Sequence, residues 1–350
     1  MSTRFPSRIL RMAKLGFAAA LMIGGSSGKS FADPSGVWSN PSSCGNTGLG
    51  YLTAPSLSPG HILRPSSFFV LPILSARGAE RVDFDCHWGN VWNYTPNEYM
   101  IDGEWIRSSL RYSYAVKDDV SVGLALPIIG RMGGFVDSAI ERFHSAAGLG
   151  NANRKEFPRN RSLITVTDQG VDRVIARGES WGIGDVSAFV VSSLTEGTYG
   201  LPAVSVQGEV FLPTGNEDEL RGMGAPAISL SSVAFKRLWT SPLILYLGAG
   251  IQYCDADDVA MIRIRDEQVS GLAGLEYQYS QSFSVLVQYL ISSPVAKHYY
   301  ALAKPSHEVS FGFKWRVGSD AALELAVVEN VAVFQNSADI GVHLAFGRRL

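Results

Sequence analysis

The sequence predicts an all-β protein: an antiparallel, up-and-down transmembrane β-barrel of about twelve strands, with a short helix in a long extracellular loop. Three observations support this fold class. Apolar and polar residues alternate with a period of two through most of the chain after residue 79, which places them on opposite faces of a strand. The alternating segments have ~10–14 residues, longer than strands in soluble sandwiches. Short and long connections alternate between them, like the periplasmic turns and outer loops of such barrels.

The chain begins with the features of a cleaved signal peptide. Basic residues between Arg4 and Lys14 precede an apolar run over 15–25. This run is shorter than the ~20 residues of a transmembrane helix, which argues against the alternative of an uncleaved anchor. Ser30 and Ala32 fit a signal-peptidase site, so we expect residues 1–32 to be removed during export.

The next part of the chain, residues 33–78, is expected to be a periplasmic lead-in. Residues 33–66 are rich in Ser, Pro, Gly and Asn and show no periodicity, a composition typical of flexible loops. The outer-membrane barrel itself is predicted over residues 79–350.

Residues 309–317 show the alternation most clearly. One face is apolar and the other is small or charged: Val309, Phe311, Phe313, Trp315 and Val317 against Ser310, Gly312, Lys314 and Arg316. Segments of this kind predict strands over 79–93, 102–116, 119–129, 182–194, 201–213, 226–237, 242–253, 267–279, 282–293, 306–317, 320–331 and 338–348. Aromatic residues cluster near both ends of these segments, as in the girdles that lie at lipid headgroups.

The composition excludes some function classes. The formal net charge is −2, which gives no argument for nucleic-acid binding. No cofactor motif, metal spacing or nucleophile constellation occurs, so the sequence indicates no cofactor, no metal and no catalytic residue. The expected partners are outer-membrane lipids and the barrel assembly machinery, and the sequence does not identify a small-molecule substrate.

Three cysteines, Cys44, Cys86 and Cys254, cannot all pair within one chain. The sequence allows either a Cys86–Cys254 disulfide or free thiols. The place of Cys86 on an apolar strand face favours free thiols.

The longest connection, 130–181, is predicted to be an extracellular loop that holds the one helical pattern, over 135–147. Asp137, Glu141 and His144 share one stripe of this helix. Two carboxylates and an imidazole could ligate a metal or share a proton, although a capping acid on a solvated face is the alternative. We expect the helix to dock across or into the outer opening, because an isolated helix of this length is marginal in water.

Inward-facing positions of the predicted strands carry charges of both signs. A wide pore is lined by such charges, whereas a narrow barrel pairs them in networks. About twelve strands lies between these cases and favours a narrow or plugged lumen. The candidate lumen charges are Asp83, Asp85, Arg107, Arg111, Asp185, Glu209, Glu276, Lys314, Arg316 and Glu324.

Several stretches also carry a family resemblance. They run from Asp102 to Pro127 and from Gly133 to His144, and continue with Gly182-Ile183-Gly184-Asp185, Leu212-Pro213-Thr214-Gly215, Gly274-Leu275-Glu276, and Glu329-Asn330 with Asp339. Across about residues 79–348 the chain thereby resembles an uncharacterised family of proteobacterial outer-membrane proteins, domain of unknown function 3187. The pattern departs at Glu329-Asn330, where two acids would be expected. The resemblance implies an outer-membrane barrel and supplies no activity.

Three functional interpretations follow from these observations. The first is an outer-membrane barrel that acts as a narrow or plugged channel, or as an envelope component, without catalysis. The second is an outer-membrane enzyme that uses Asp137, Glu141 and His144. The third is a secreted, soluble β-protein.

Overall fold

The computed structural model describes residues 48–64, 76–147, 153–197, 201–299, 302–329, 336 and 338–350. The predicted signal peptide and Cys44 lie outside these residues. The two cysteines within them, Cys86 and Cys254, are free thiols.

Twelve long strands form the wall of the molecule. They are β1 (Glu80–Thr95), β2 (Tyr99–Lys117), β3 (Val120–Met132), β7 (Ser187–Glu196), β8 (Ala203–Phe211), β9 (Ala227–Arg237), β10 (Leu243–Cys254), β13 (Glu267–Gln278), β14 (Phe283–Ser292), β15 (Ser306–Val317), β16 (Ala321–Glu329) and β17 (Ile340–Arg349). Shorter strands lie in the connections: β4 (Leu163–Asp168), β5 (Val171–Arg177), β6 (Ser180–Ile183), β11 (Asp258–Val259) and β12 (Ile262–Arg263). The described residues also form the α-helices α1 (Pro59–Leu63) and α2 (Asp137–Ala147) and a 3-10 helix over Arg154–Glu156.

The sheet closes on itself. Each long strand pairs antiparallel with its neighbours, and β17 pairs with β1. The last strand residues lie beside the first, because the Leu350 amide donates to the Glu80 carbonyl. We call this end, with its short turns, the inner end, and the opposite one the outer end. The predicted twelve-strand, antiparallel barrel is confirmed.

The wall separates an apolar outside from a polar inside, as the alternation predicted. On β15, the Phe311 side chain faces outward and is 57% exposed, whereas Lys314 faces inward and is 1% exposed. At the inner end an exposed aromatic rim is formed by Tyr112, Tyr114, Trp239, Tyr277, Tyr279, Trp315 and Phe346. At the outer end Trp92 is instead buried, because Phe157 packs on it. These features are typical of a barrel embedded in a bilayer.

Residues 48–64, which we call the interior segment, lie inside the barrel. Leu49 contacts Glu276 near the inner end of β13, and Arg64 contacts Asp266 just before its outer end. The segment therefore rises through the lumen from the inner to the outer end, with α1 near the top. This location differs from the periplasmic lead-in expected for 33–78. Residues 33–47 and 65–75 lie outside the described part of the chain.

The long connection between β3 and β7 contains α2, the β4–β5 hairpin and β6. The hairpin pairs through β4 with the outer end of β2, and β6 pairs with the outer end of β3. In the part of the chain described above, no helix has the length and apolar character that crossing a membrane requires.

Candidate functional site in the occupied lumen

Glutamates of the wall hold the backbone of the interior segment. The carboxylate of Glu276 accepts the Leu49 amide at 2.7 Å, that of Glu324 accepts the Thr53 amide at 2.6 Å, and that of Glu308 accepts the Leu57 amide at 2.8 Å. These residues belong to β13, β16 and β15. The segment is not a strand, so its amides need other acceptors, and the wall carboxylates supply them.

The side chains of the interior segment fit small residues of the wall. Leu52 lies against Gly312 of β15, and Leu57 lies against Gly341 of β17. A Cβ atom at Gly341 would stand only 2.2 Å from the Leu57 Cδ1 atom. The wall glycines thus make room for two buried or half-buried leucines.

Arg64 anchors the outer end of the segment. Its guanidinium donates to the Gln252 side chain at 2.6 Å and to the carbonyls of Gln252 and Asp266 at 3.0 Å. The nearby His61 ring is bonded through its two nitrogens to Ser58 and Gln268. Both ends of the segment are therefore fixed to the wall.

A buried chain of charged and ring groups crosses five strands beside Thr53. Asp85 is paired with Arg111 and lies 2.8 Å from His87 Nε2. The rings of His87 and His343 stack at 4.3 Å, with their Nδ1 atoms 2.8 Å apart. His343 Nε2 lies 2.8 Å from Glu324, whose other oxygen lies 2.9 Å from Lys314 Nζ. Thr53 reaches this chain through its hydrogen bonds to Glu324.

The structure brings several predicted lumen charges into contact and separates others. Besides the chain just described, Asp83 pairs with Arg81, and Glu276 accepts bonds from Tyr246 and Ser284. Arg316 lies near the inner end of β15, half-buried. The remaining three groups, Arg107, Asp185 and Glu209, line the space that the interior segment leaves empty, together with Arg111.

Two cavities lie in this space among the described residues. The outer cavity is mainly apolar, with Leu57, Ile62, Val91, Trp105, Ile129 and Leu220 in its lining. The inner cavity is more polar and is lined by Ser109, Arg111, Ser187, Gln207, Glu209 and Phe211. Arg107 and Asp185 line both cavities, so the two meet about halfway through the barrel.

The acids around this junction are engaged by neutral donors. One oxygen of Asp185 accepts the Gly215 amide at 2.9 Å, and the other accepts the Met223 amide at 2.8 Å. Glu209 accepts from Ser187 at 2.5 Å and from Gln207 at 3.0 Å. Asp185 thereby ties the outer loop between β8 and β9 to the wall.

The N-terminal end of the helix α2 is fixed to the outward face of β1 and β2. On β1, Asn90 lies an even number of residues from the outward-facing Phe84, and on β2 Glu104 lies an even number from the outward-facing Leu110. Asn90 and Glu104 therefore also face outward. The Glu104 carboxylate accepts the Phe135 amide at 2.8 Å, just before α2. The expected docking across or into the opening is therefore not found at this end of the helix.

The polar stripe of α2 is occupied by contacts within the loop. The Asp137 carboxylate is buried, accepts the Asn160 amide at 2.7 Å and lies 3.6 Å from Arg154. The Glu141 carboxylate receives two bonds from Arg159, at 3.0 and 2.6 Å, which lower its pKa below the usual range. The side chain of His144 lies outside the described residues. Asp137 and Glu141 thus behave as docking groups and not as a solvent-facing site.

Two features of the lumen were missed at the sequence level. His87 and His343 lie 256 positions apart in the chain, and only the pairing of β17 with β1 brings them together. The interior segment has no periodicity to reveal it. The signal available was indirect: an excess of glutamate, glutamine and glycine on inward-facing positions of β13 to β17.

Comparison with solved structures supports the architecture. The COG4313 outer membrane channel from Pseudomonas putida F1 matches with a TM-score of 0.54 and 12% identity, over 82% of this chain and 99% of that one. The P. putida toluene transporter TodX matches with 0.37 and 8%, over 78% and 90%. The Ralstonia pickettii toluene transporter TbuX matches with 0.38 and 9%, over 79% and 90%. The first of these similarities shows a common fold.

Among curated protein sequences, none matches this chain significantly. A family model does match, over residues 33–350, and its description is "Protein of unknown function (DUF3187)". The barrel geometry and this match agree with the resemblance seen in the motifs. The chain is a closed, antiparallel, twelve-stranded β-barrel and belongs to the DUF3187 family.

Proposed function

We propose that this protein is a narrow outer-membrane channel. The observation that carries the proposal is the pair of cavities that meet at Arg107 and Asp185, beside the interior segment. The interior segment fills the side of the lumen next to β13 to β17. The side next to β2, β3, β7 and β8 keeps unfilled space.

The lining is better suited to the passage of a solute than to a network of paired charges that only stabilises the fold. On the β13–β17 side the wall carboxylates are used by the interior segment. On the opposite side Arg107, Arg111, Asp185 and Glu209 face open space, and charged walls are the hallmark of water-filled barrel pores. A solute would pass an apolar outer cavity first and a polar inner cavity second.

The test is single-channel conductance of the full-length protein in planar bilayers. Wild-type protein is expected to show small, uniform conductance steps. Ser109→Trp places a large ring in the inner cavity and should lower the conductance severalfold. Val285→Trp, on the outward face of β14, serves as the matched control and should leave it unchanged. Absence of steps from folded, heat-modifiable wild-type protein, or equal conductance of Ser109→Trp and wild type, would rule out this route.

We further propose that the chain is exported by a signal peptide cleaved after Ala32 and inserted by the barrel assembly machinery. The small residues at Ser30 and Ala32 support the cleavage site. The family match starts at residue 33, directly after it. Mass spectrometry of the protein from outer-membrane fractions should give a mature chain that starts at Asp33, and retention of Met1 would contradict cleavage.

A further inference from the structure

The Arg107 guanidinium lies where the two cavities adjoin. It lies midway along β2 and keeps part of its surface open because it faces the cavities. Among the described residues, no hydrogen bond or close ion pair engages it. Its electrostatic partners are Asp85, Asp185 and Glu209, with Arg111 opposing them.

The charges around this position determine which ligand it suits. Three carboxylates, Asp85, Asp185 and Glu209, lie near the guanidiniums of Arg107 and Arg111, and Arg221 also lines the outer cavity. The two signs of charge balance, so an anion would lie beside carboxylates, a cation would lie beside guanidiniums, and neither is favoured. A neutral acceptor such as a carbonyl oxygen can take the free donors of Arg107 without either penalty.

The outer cavity determines the rest of the ligand. Its lining is mainly apolar side chains, among them Leu57, Trp105 and Ile129. Pockets with apolar walls and a few polar groups are typical small-molecule sites. The cavity therefore suits a compact hydrocarbon skeleton next to the polar junction.

We propose that the lumen binds a neutral, mainly apolar molecule that presents a carbonyl-type acceptor to Arg107. The hydrocarbon part lies in the outer cavity against Leu57, Trp105 and Ile129, and the acceptor takes a hydrogen bond from the Arg107 guanidinium. This inference rests on the proposed channel and deepens it, because it names the class of solute that the channel selects.

The test is isothermal titration calorimetry of the full-length protein in detergent, with protein-free micelles as the reference. The probes are three compounds of similar shape: cyclohexyl methyl ketone, cyclohexanecarboxylate and cyclohexylmethylammonium. The ketone should bind at least about tenfold more tightly than either charged probe. Acetone, which has the acceptor without the ring, should bind more than about tenfold more weakly than the ketone.

Variants locate the site. Arg107→Met keeps the length of the side chain but removes the donors, and should weaken ketone binding about tenfold. Arg316→Met, inward-facing on β15 away from both cavities, should leave it unchanged. If Arg107→Met does not fold, the three-probe comparison on wild-type protein still decides. Equal or tighter binding of the carboxylate, or no ketone binding to wild-type protein, overturns the proposal.

Calorimetry separates this inference from the proposed function, since binding does not require conduction. If the protein binds the ketone but shows no conductance, the binding site is supported and the channel is ruled out. If it conducts but binds all probes equally, the channel is supported and the binding site is ruled out.

Discussion

At the scale of single residues, the contact between His87 and His343 has a chemical consequence. Their Nδ1 atoms face each other at 2.8 Å, so one ring must donate the proton and the other must accept it. Their Nε2 atoms face Asp85 and Glu324. The pair therefore works as one unit that links two buried carboxylates and, through Glu324, the backbone of Thr53.

Removing one ring should be costly. His343→Ala removes the partner of His87 Nδ1 and one of the partners of Glu324, although Asp85 still bonds His87, and Lys314 and Thr53 still bond Glu324. A buried polar group left unsatisfied typically costs ~1–3 kcal/mol. We expect the free energy of unfolding in micelles, measured by urea titration, to fall by about that amount. Leu344→Ala is the control: the neighbouring residue faces outward and is largely exposed. Similar losses in the two variants would show that the ring pair has no special role.

A second prediction at this scale concerns Gly341. A side chain there meets Leu57 of the interior segment, and overpacking of this kind costs ~1–3 kcal/mol. Gly341→Val should lower the unfolding free energy by about that amount, and adding Leu57→Ala should restore most of it. Gly208→Val, where the nearest atom is 3.7 Å away, should be tolerated. If Leu57→Ala does not restore the unfolding free energy of Gly341→Val, the glycine is required by β17 itself and not by the contact with the interior segment.

At the scale of elements, the contacts of α2 change what its removal should do. The segment before it is held by Glu104, and its stripe is held by Arg154, Arg159 and Asn160. All of these contacts lie outside the lumen route that passes Arg107. Replacing residues 135–147 by a short Gly/Ser linker should therefore leave the single-channel conductance within about a factor of two while the barrel remains heat-modifiable. A large rise in conductance would show that the helix obstructs the mouth after all.

The docking of α2 should also depend on pH. Its Glu141 carboxyl has a lowered pKa because Arg159 bonds to it. A lowered pKa means that the contact stabilises the docked helix fully above the ordinary glutamate pKa of ~4.3 and less as pH falls below it. Hydrogen exchange of the α2 amides should speed up on acidification from neutral pH into this range. Glu141→Gln should exchange faster at neutral pH and respond less to acid.

Most elements of the wall could be predicted from the sequence, and the interior segment could not. A strand such as β15 has one face towards lipid and one towards the lumen, so apolar and polar residues alternate along it. This period of two can be recognised from one sequence alone. The interior segment touches no lipid, and its amides are bonded to Glu276, Glu308 and Glu324. Nothing in a stretch rich in serine, proline and glycine reports partners more than 200 positions away.

The candidate site divides in the same way. The inward positions of Asp85, Arg107, Arg111 and Glu209 followed from strand parity alone. The pairing of these side chains depends on the register between neighbouring strands, such as the one that places Asp83 opposite Arg111. The turns set these registers, and the sequence located the turns only to within a few residues. The free donors of Arg107 are a property of the assembled lumen.

At the scale of the whole molecule, the two faces of the wall meet different solvents, and this asymmetry predicts the cost of a charge. Phe311 lies halfway along β15 and its side chain is 57% exposed on the outward face, where a bilayer would surround it. An arginine at the midplane of a barrel costs ~2–4 kcal/mol, and the cost falls towards zero at the interfaces. Phe311→Arg should therefore lower the free energy of folding into lipid vesicles by about that amount. Trp239→Arg is the matched aromatic control, because Trp239 is 88% exposed in a turn at the inner rim and can place the guanidinium in water. Equal costs at the two positions would mean that the outward face of β15 does not contact the hydrocarbon core.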